Sequence, residues 1–249
     1  MSLILAIETA TPVCSVALAR KGEILSLRES SPPNAHSSVL TVFIEELFRE
    51  ASLRYVDLDA ISVSMGPGSY TGLRIGVATA KGLCYALDKP LIAVPTLEAM
   101  ALGMRFKVQG SRFKAYNQIP KIGNRKSEIG DLFCPMIDAR RMEVYCAVYD
   151  DNLTEIRSTA AVIVDEHTFS DLLAEYPVLF AGNGADKCRG ILSHQPNALF
   201  IQGFSASARF MIPLAENRFH DNRFENLAYF EPFYLKDFVA GKPNVKGLK

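Results

Sequence analysis

The sequence is sparing with the features that would announce a specialised protein. Its 27 basic and 27 acidic residues cancel, so no global field draws the chain toward nucleic acid or anionic lipid, and any such binding must come from a local patch or a partner. The five cysteines, Cys14, Cys84, Cys134, Cys146 and Cys188, are odd in number and nowhere spaced CxxC. That argues against a disulfide framework or a zinc knuckle and for buried thiols in a reducing compartment. No apolar run approaches the roughly 18 residues of a membrane span. The apolar N-terminal run is interrupted by Glu8 and follows no basic segment, so it reads as a core strand of a cytoplasmic protein rather than a signal peptide. A histidine pair at helical spacing is missing too: His36 is followed four residues later by Leu40. One imidazole makes no metal site, so no metal is expected.

What remains is an ordinary globular balance, 49% hydrophobic and 22% charged over 249 residues, enough for two half-size lobes. Short apolar runs at Leu3–Ile7, Cys14–Ala19 and Glu23–Leu27, the last two joined at Lys21-Gly22, predict three meander strands. Asn34 can cap a helix to about Leu53. A strand at Ala60–Ser64, a helix capped by Thr71 and running to Leu87, a strand at Leu91–Val94 and a helix from Thr96 to about Gly103 complete a first α/β unit over 1–104. A similar opening recurs. Strands are expected at Phe133–Ile137, Glu143–Tyr149 and Leu153–Ser158, then a helix at Phe169–Glu175, a strand at Val178–Phe180, a loop at Ala181–Asp186, a strand at Leu199–Gln202 and a helix at Ala206–Glu216. Ile7-Glu8 and Ile137-Asp138 end equivalent strands in a carboxylate, which points to related lobes over 1–104 and 131–249.

Between them, 105–130 carries Arg105, Lys107, Arg112, Lys114, Lys121, Arg125 and Lys126. It reads as an inserted loop, either a solvated insertion or a basic arm touching RNA phosphates.

The segment Met65–Gly76 supports three readings. Its glycines at a strand-to-helix turn suit a phosphate, but the spacing is neither GxGxxG nor a P-loop with its lysine. Gly72, Gly76 and Ala80, at i, i+4 and i+8, form a smooth stripe suited either to internal packing or, with Tyr70 and Arg74 nearby, to a subunit interface. That stripe could also pair two copies of the chain. Gly182-Asn183-Gly184-Ala185 is either a simple turn or a nucleotide contact, and Arg140-Arg141 either phosphate ligands or surface charges.

Gly66–Leu83 closely resembles the signature of the TsaB (YeaZ) family, partner subunits in threonylcarbamoyladenosine modification of tRNA. The resemblance extends to Ala6-Ile7-Glu8-Thr9 with Cys14–Ala17, His36-Ser37, Val94–Glu98, Ile137–Arg141 with Glu143–Tyr145, Gly182–Ala185 and Pro232–Leu235. It implies two ribonuclease-H-like lobes of the actin-like ATPase superfamily. It further implies a non-catalytic subunit that binds and activates the catalytic TsaD subunit, is joined by TsaE, meets tRNA only through that complex, and forms a homodimer when TsaD is absent. Family pattern places the partner contact on the first two long helices, through His36, Leu40, Phe43, Tyr70, Gly72, Arg74, Gly76 and Ala80. Superfamily pattern places Glu8, Thr9, Asp138, Arg140, Gly182, Asn183 and Gly184 where active members hold nucleotide phosphates. No cofactor is expected beyond weak nucleotide binding there. Glu8 stands where the superfamily has aspartate, and 105–130 is longer than the family pattern. The alternative reading is an independent ATPase or phosphotransferase using Glu8 and Asp138. A metallo-glycoprotease lacks both a zincin helix and a second histidine.

Overall fold

A computed structural model describes residues 2–30, 36–109 and 132–236. The fold is α/β and repeats one plan twice. Strands β1 (Leu3–Glu8), β2 (Cys14–Arg20), β3 (Glu23–Ser30), β4 (Ala60–Gly66) and β5 (Leu91–Pro95) form a sheet ordered β3-β2-β1-β4-β5. Strands β6 (Leu132–Asp138), β7 (Glu143–Tyr149), β8 (Glu155–Ile163), β9 (Val178–Ala181) and β10 (Ala198–Ile201) form a second, ordered β8-β7-β6-β9-β10. In each, the first strand pairs antiparallel with a hairpin partner and parallel with the strand that follows a helix.

Period-2 alternation explains why both sheets are covered on both faces. Along β1, Leu3, Leu5 and Ile7 enter the core beneath helices α1 (His36–Ala51) and α2 (Tyr70–Leu87). Ile4 and Ala6 point the other way. Along β6, Leu132, Cys134 and Met136 meet the core beneath α4 (Ser170–Glu175) and α5 (Asn183–Leu192), while Phe133 and Ile137 point inward. The inward faces share one core with α3 (Thr96–Gln109) and α6 (Ala208–His220). Fully burying a side chain such as Ile4 or Phe133 contributes roughly 1.5–3 kcal/mol, so this shared layer holds the lobes together. All five cysteines are buried and free.

Most expected elements are present, with physical reasons where they differ. Ser69, not Thr71, caps α2, its hydroxyl accepting from the Gly72 N–H at 3.2 Å. Asn34 lies outside the described residues. Of the stretch Ala181–Asp186, read as a loop, Ala181 ends β9 and Asn183–Asp186 open α5, because Ala185, Cys188 and Leu192 bury one face and outweigh the turn character of Gly-Asn-Gly. β8 runs on to Ile163. The basic insertion does not begin at 105: α3 continues to Gln109, with Phe106 and Val108 packed on the shared core and Arg105 donating to the Asp151 carbonyl at 2.9 Å. The rest of that segment, 110–130, lies outside the described residues.

Nor does the chain divide its helices at 104 and 131. α3 packs on β6 and β7 as well as β4 and β5, and α6 returns to pack on β1, β2 and β5. Arg218 of α6 pairs with Glu98 of α3 at 2.7 Å. Residues 221–236 then run back over the first lobe. Glu225 bonds the Leu91 carbonyl, Lys81 Nζ donates to the carbonyls of Ala228 (3.4 Å) and Phe230 (3.1 Å), and Phe233 N–H reaches Met65 O at 2.7 Å. Beyond, the Tyr234 ring lies 4.9 Å from that of Tyr70, tilted by 39°, and Lys236 pairs with Glu143 at the start of β7. This strap therefore ties α2 to the second lobe.

Close approach of α3 and α6 depends on Gly103, where a Cβ would lie 2.6 Å from the Phe210 ring. Gly103→Val should overpack this layer and destabilise the protein by about 1–3 kcal/mol. Urea unfolding of the variant checks this, and an unchanged midpoint would contradict it.

Candidate functional site

The β1–β2 hairpin and the start of α2 form one unit. Thr9, fully buried, donates from Oγ1 to the Gly72 carbonyl at 2.8 Å, and its N–H reaches Ser64 Oγ at 3.3 Å. Ser69 N–H donates to the Ala10 carbonyl at 2.7 Å. A side chain at Gly76 would collide with Thr9 Oγ1, and one at Gly68 with the Ala10 backbone. These glycines thus make a socket for the hairpin. Two amides at the α2 start are taken within the protein, Ser69 N–H by Ala10 and Gly72 N–H by the Ser69 cap. This is the internal-packing reading of Met65–Gly76, not the phosphate turn.

Glu8 sits beneath this socket and is 1% exposed. Its Oε1 accepts from Ala10 N–H at 2.6 Å, and Oε2 has no hydrogen-bond partner among the described residues. Burial pushes its pKa up to about 7, against the pull of the Ala10 N–H and the Ser64 hydroxyl.

The β6–β7 hairpin repeats the arrangement with other chemistry. Asp138 accepts from Arg140 N–H at 2.8 Å and forms an ion pair with Lys187 of α5. Lys187 Nζ also donates to the carbonyls of Arg141 and Glu143, both at 2.7 Å. Asn183 Oδ1 accepts from Asp138 N–H at 3.1 Å. Gly182, at φ +101°, and Gly184 press against the β6 backbone, where a Cβ at Gly184 would lie 2.9 Å from the Met136 carbonyl carbon. Arg140 and Arg141 project into solvent at positive φ. No hydrogen bond or ion pair among the described residues joins this group to Glu8 and Thr9.

The family resemblance of the sequence implies a magnesium nucleotide between such hairpins, and these residues do not fit one. Glu8 is enclosed rather than presented, and the Lys187 ammonium already neutralises Asp138 where a cation would be needed. Among the described residues no three His, Cys, Asp or Glu side chains gather as a metal site, and no helix is long and apolar enough to cross a membrane.

The expected partner-interface residues separate sharply. Leu40 is 1% exposed, and Phe43 packs on the same core. Gly72, Gly76 and Ala80 are buried as well, so this small-residue stripe faces the chain's own core. The His36 side chain lies outside the described residues. Of the set, Arg74 is exposed and Tyr70 half-buried, the guanidinium 5.5 Å above the tyrosine ring. A second ridge, missed in the sequence, does face outward: Arg74, Ala78, Gly82 and Tyr85 follow helical spacing on the exposed side of α2. A Cβ at Gly82 would meet nothing within 4 Å. Tyr85 and, on the strap, Tyr229 are 85% and 84% exposed, and Val42 of α1 is also exposed. The signal for the ridge was available: Leu73, Val77, Ala80 and Cys84 mark the buried face, which leaves Arg74, Ala78 and Gly82 opposite.

Residues 30–241 match the family described as TsaD, tRNA N6-adenosine threonylcarbamoyltransferase. The chain is 30% identical to the tRNA threonylcarbamoyladenosine biosynthesis protein TsaB of Escherichia coli over 96% of both chains. It is 31% identical to that of Bacillus subtilis over 82% of this chain and 80% of the other. Among solved structures, YeaZ from Pseudomonas aeruginosa superposes with a TM-score of 0.74 at 25% identity, covering 94% of this chain and all of that one.

Glu8 makes a testable contribution to stability. Its folded pKa of about 7 exceeds the ordinary 4.5, so the folded state holds the proton more tightly. The contribution is present in full below pH 4.5 and is lost as pH rises through 7, on the order of 3 kcal/mol in all. Unfolding free energies at pH 5 and 8 should therefore differ less in Glu8→Gln than in the wild type. Equal pH slopes for the two proteins would refute the assignment.

Proposed function

Because this chain belongs to the TsaB family of tRNA threonylcarbamoyladenosine biosynthesis proteins, we propose that it is the accessory subunit that binds and activates a TsaD-type catalytic subunit, joined in the assembly by a TsaE homologue. It contributes no catalytic residue of its own and meets tRNA, in the cytosol, through the assembly. The observation that carries this reading is the outward ridge Arg74–Ala78–Gly82–Tyr85 on α2. Its small middle lets another helix approach closely, and it ends in Arg and Tyr, the residue types enriched at interface hot spots. The buried Gly72–Gly76 face, gripped by Thr9, holds that ridge rigid from below. A rigid docking helix loses little freedom on binding, which favours affinity. Without the catalytic subunit, the same ridge pairs with a second copy of the chain.

The enclosed Glu8 and the Asp138–Lys187 pair support a scaffold over an independent ATPase. They leave neither hairpin with a carboxylate free to bind magnesium as it stands.

Gly82→Arg tests the proposal cleanly. The site is open, and arginine favours helix over glycine by somewhat under 1 kcal/mol, so the variant should keep or raise its melting temperature. Size-exclusion and titration experiments with the TsaD homologue should show the complex weakened by about 100-fold or more, near 3 kcal/mol. Threonylcarbamoyladenosine formation by the reconstituted assembly should fall with it. Wild-type affinity in Gly82→Arg would overturn this docking surface, whereas no complex with the unaltered protein would overturn the scaffold reading itself.

A further inference from the structure

Arg140 and Arg141, at the tip of the β6–β7 hairpin, have no task in the fold. Both are exposed, and both have left-handed backbone, at φ +70° and +50°. Residues with a side chain adopt such values at a cost, and a two-residue turn of this kind favours asparagine and glycine. The β2–β3 hairpin of this chain makes its left-handed pair with Lys21 and Gly22, at +52° and +77°. The backbone of the β6–β7 tip is nonetheless held from several sides. Asp138 accepts from Arg140 N–H, the Arg140 carbonyl accepts from Glu143 N–H at 3.2 Å, and Lys187 Nζ donates to the carbonyls of Arg141 and Glu143. Neither guanidinium makes an ion pair, hydrogen bond or ring contact among the described residues. The carboxylates beside them are already matched, Asp138 by Lys187 and Glu143 by Lys236. The tip therefore presents two unmatched positive charges on a fixed turn, at positions where arginine costs the fold and brings it no contact. The equivalent turn of the first lobe, 9–13, carries no cation.

A line of contacts joins this tip to the outward ridge of α2. The Arg74 guanidinium lies 5.5 Å above the Tyr70 ring, and Tyr70 lies 4.9 Å from Tyr234. Two residues further on, Lys236 Nζ stands 5.9 Å from the Tyr145 ring centroid and pairs with Glu143 of the hairpin. A polyanion resting on the tip would thus run beside any subunit seated on α2. Guanidinium groups match phosphate in geometry and charge, and a nucleic-acid backbone offers successive phosphates to two neighbouring arginines. We propose that Arg140 and Arg141 contact the phosphate backbone of tRNA, next to the docked catalytic subunit. This inference rests on the reading of the chain as a subunit of a tRNA-modifying assembly, and it gives the chain a direct share in holding the substrate.

The test is the affinity of the reconstituted complex with the TsaD homologue for an unmodified tRNA transcript, measured by fluorescence anisotropy over a range of salt. The double variant Arg140→Gly with Arg141→Gly should keep or raise the melting temperature, because glycine suits positive φ. Its complex should bind tRNA about tenfold or more weakly, and the slope of log affinity against log salt should shrink by about 1–2. Arg140→Lys with Arg141→Lys should retain that slope. Affinity for the TsaD homologue, measured before tRNA is added, should be unchanged in both variants. Wild-type tRNA affinity and slope in the double-glycine variant would overturn the proposal while leaving the scaffold reading intact. Weakened binding of the TsaD homologue by that variant would also overturn it, and would assign the two arginines to an acidic protein surface. Failure of the unaltered chain to form the complex would overturn the scaffold reading, and this inference with it.

Discussion

The insertion of Thr9 into the glycine face of α2 is the constraint on which the rest of the first lobe depends. A hydroxyl bonded to the Gly72 carbonyl, with Gly76 directly beneath, lets the β1–β2 hairpin lie flat on the helix. The same contact buries Glu8, occupies amides at the start of α2 and fixes which side of that helix is left for solvent. One packing decision thus engages two amides at the start of α2 and leaves Arg74, Ala78, Gly82 and Tyr85 on its outer side. Enlarging either glycine would undo both at once, because the hairpin and the helix could no longer approach.

The second lobe solves the same topological problem with charge. Lys187 reaches back from α5 to hold Asp138 and two hairpin carbonyls, where the first lobe uses a hydroxyl and two glycines. Both hairpins are therefore closed by the helix that follows the next parallel strand. The lobes do not stand alone, however. α3 and α6 share one core between the sheets, and the strap over 221–236 passes from the edge of β5, along α2, to Glu143. Lys81, Phe233 and Lys236 thus join α2 and its strand to the second lobe in addition to the core.

Sequence pattern conveyed the strands and their order well, because runs such as Leu3–Ile7 and Phe133–Ile137 are buried on both faces and read as continuous apolar segments. It conveyed α5 poorly. Gly182-Asn183-Gly184 has turn chemistry, and only burial of Ala185, Cys188 and Leu192 makes the segment helical. Extension of α3 to Gln109 was hidden by Arg105 and Lys107, whose charges suggested a loop although Phe106 and Val108 pack on the core. The small-residue stripe of α2 was seen with two readings, internal packing and a subunit interface, and its burial gives the first. Glycine and alanine permit close approach equally to a neighbour within the chain or outside it, so spacing alone does not choose. The adjoining Leu73, Val77 and Cys84 do choose, since apolar bulk beside a glycine row marks the inward side.

That distinction changes what kind of protein the residues describe. Had Glu8 and Asp138 been presented on open hairpins, the catalytic reading would have rested on two carboxylates with room for a cation between them. Instead, one carboxylate is held where water does not reach, and the other is bound to an ammonium. Glu8, so enclosed, contributes to stability and its pH dependence, and Asp138 ties its hairpin to α5. The exposed aromatic and small residues of α2 and the strap, unlike the hairpins, are anchored from below by hydrogen bonds and left bare above. Such a division, with the hairpin packed inward and Arg74, Ala78, Gly82 and Tyr85 facing out, suits the scaffold role proposed above. Its binding face must keep one shape whether or not a partner is present, and in this fold the buried hairpin sets that shape.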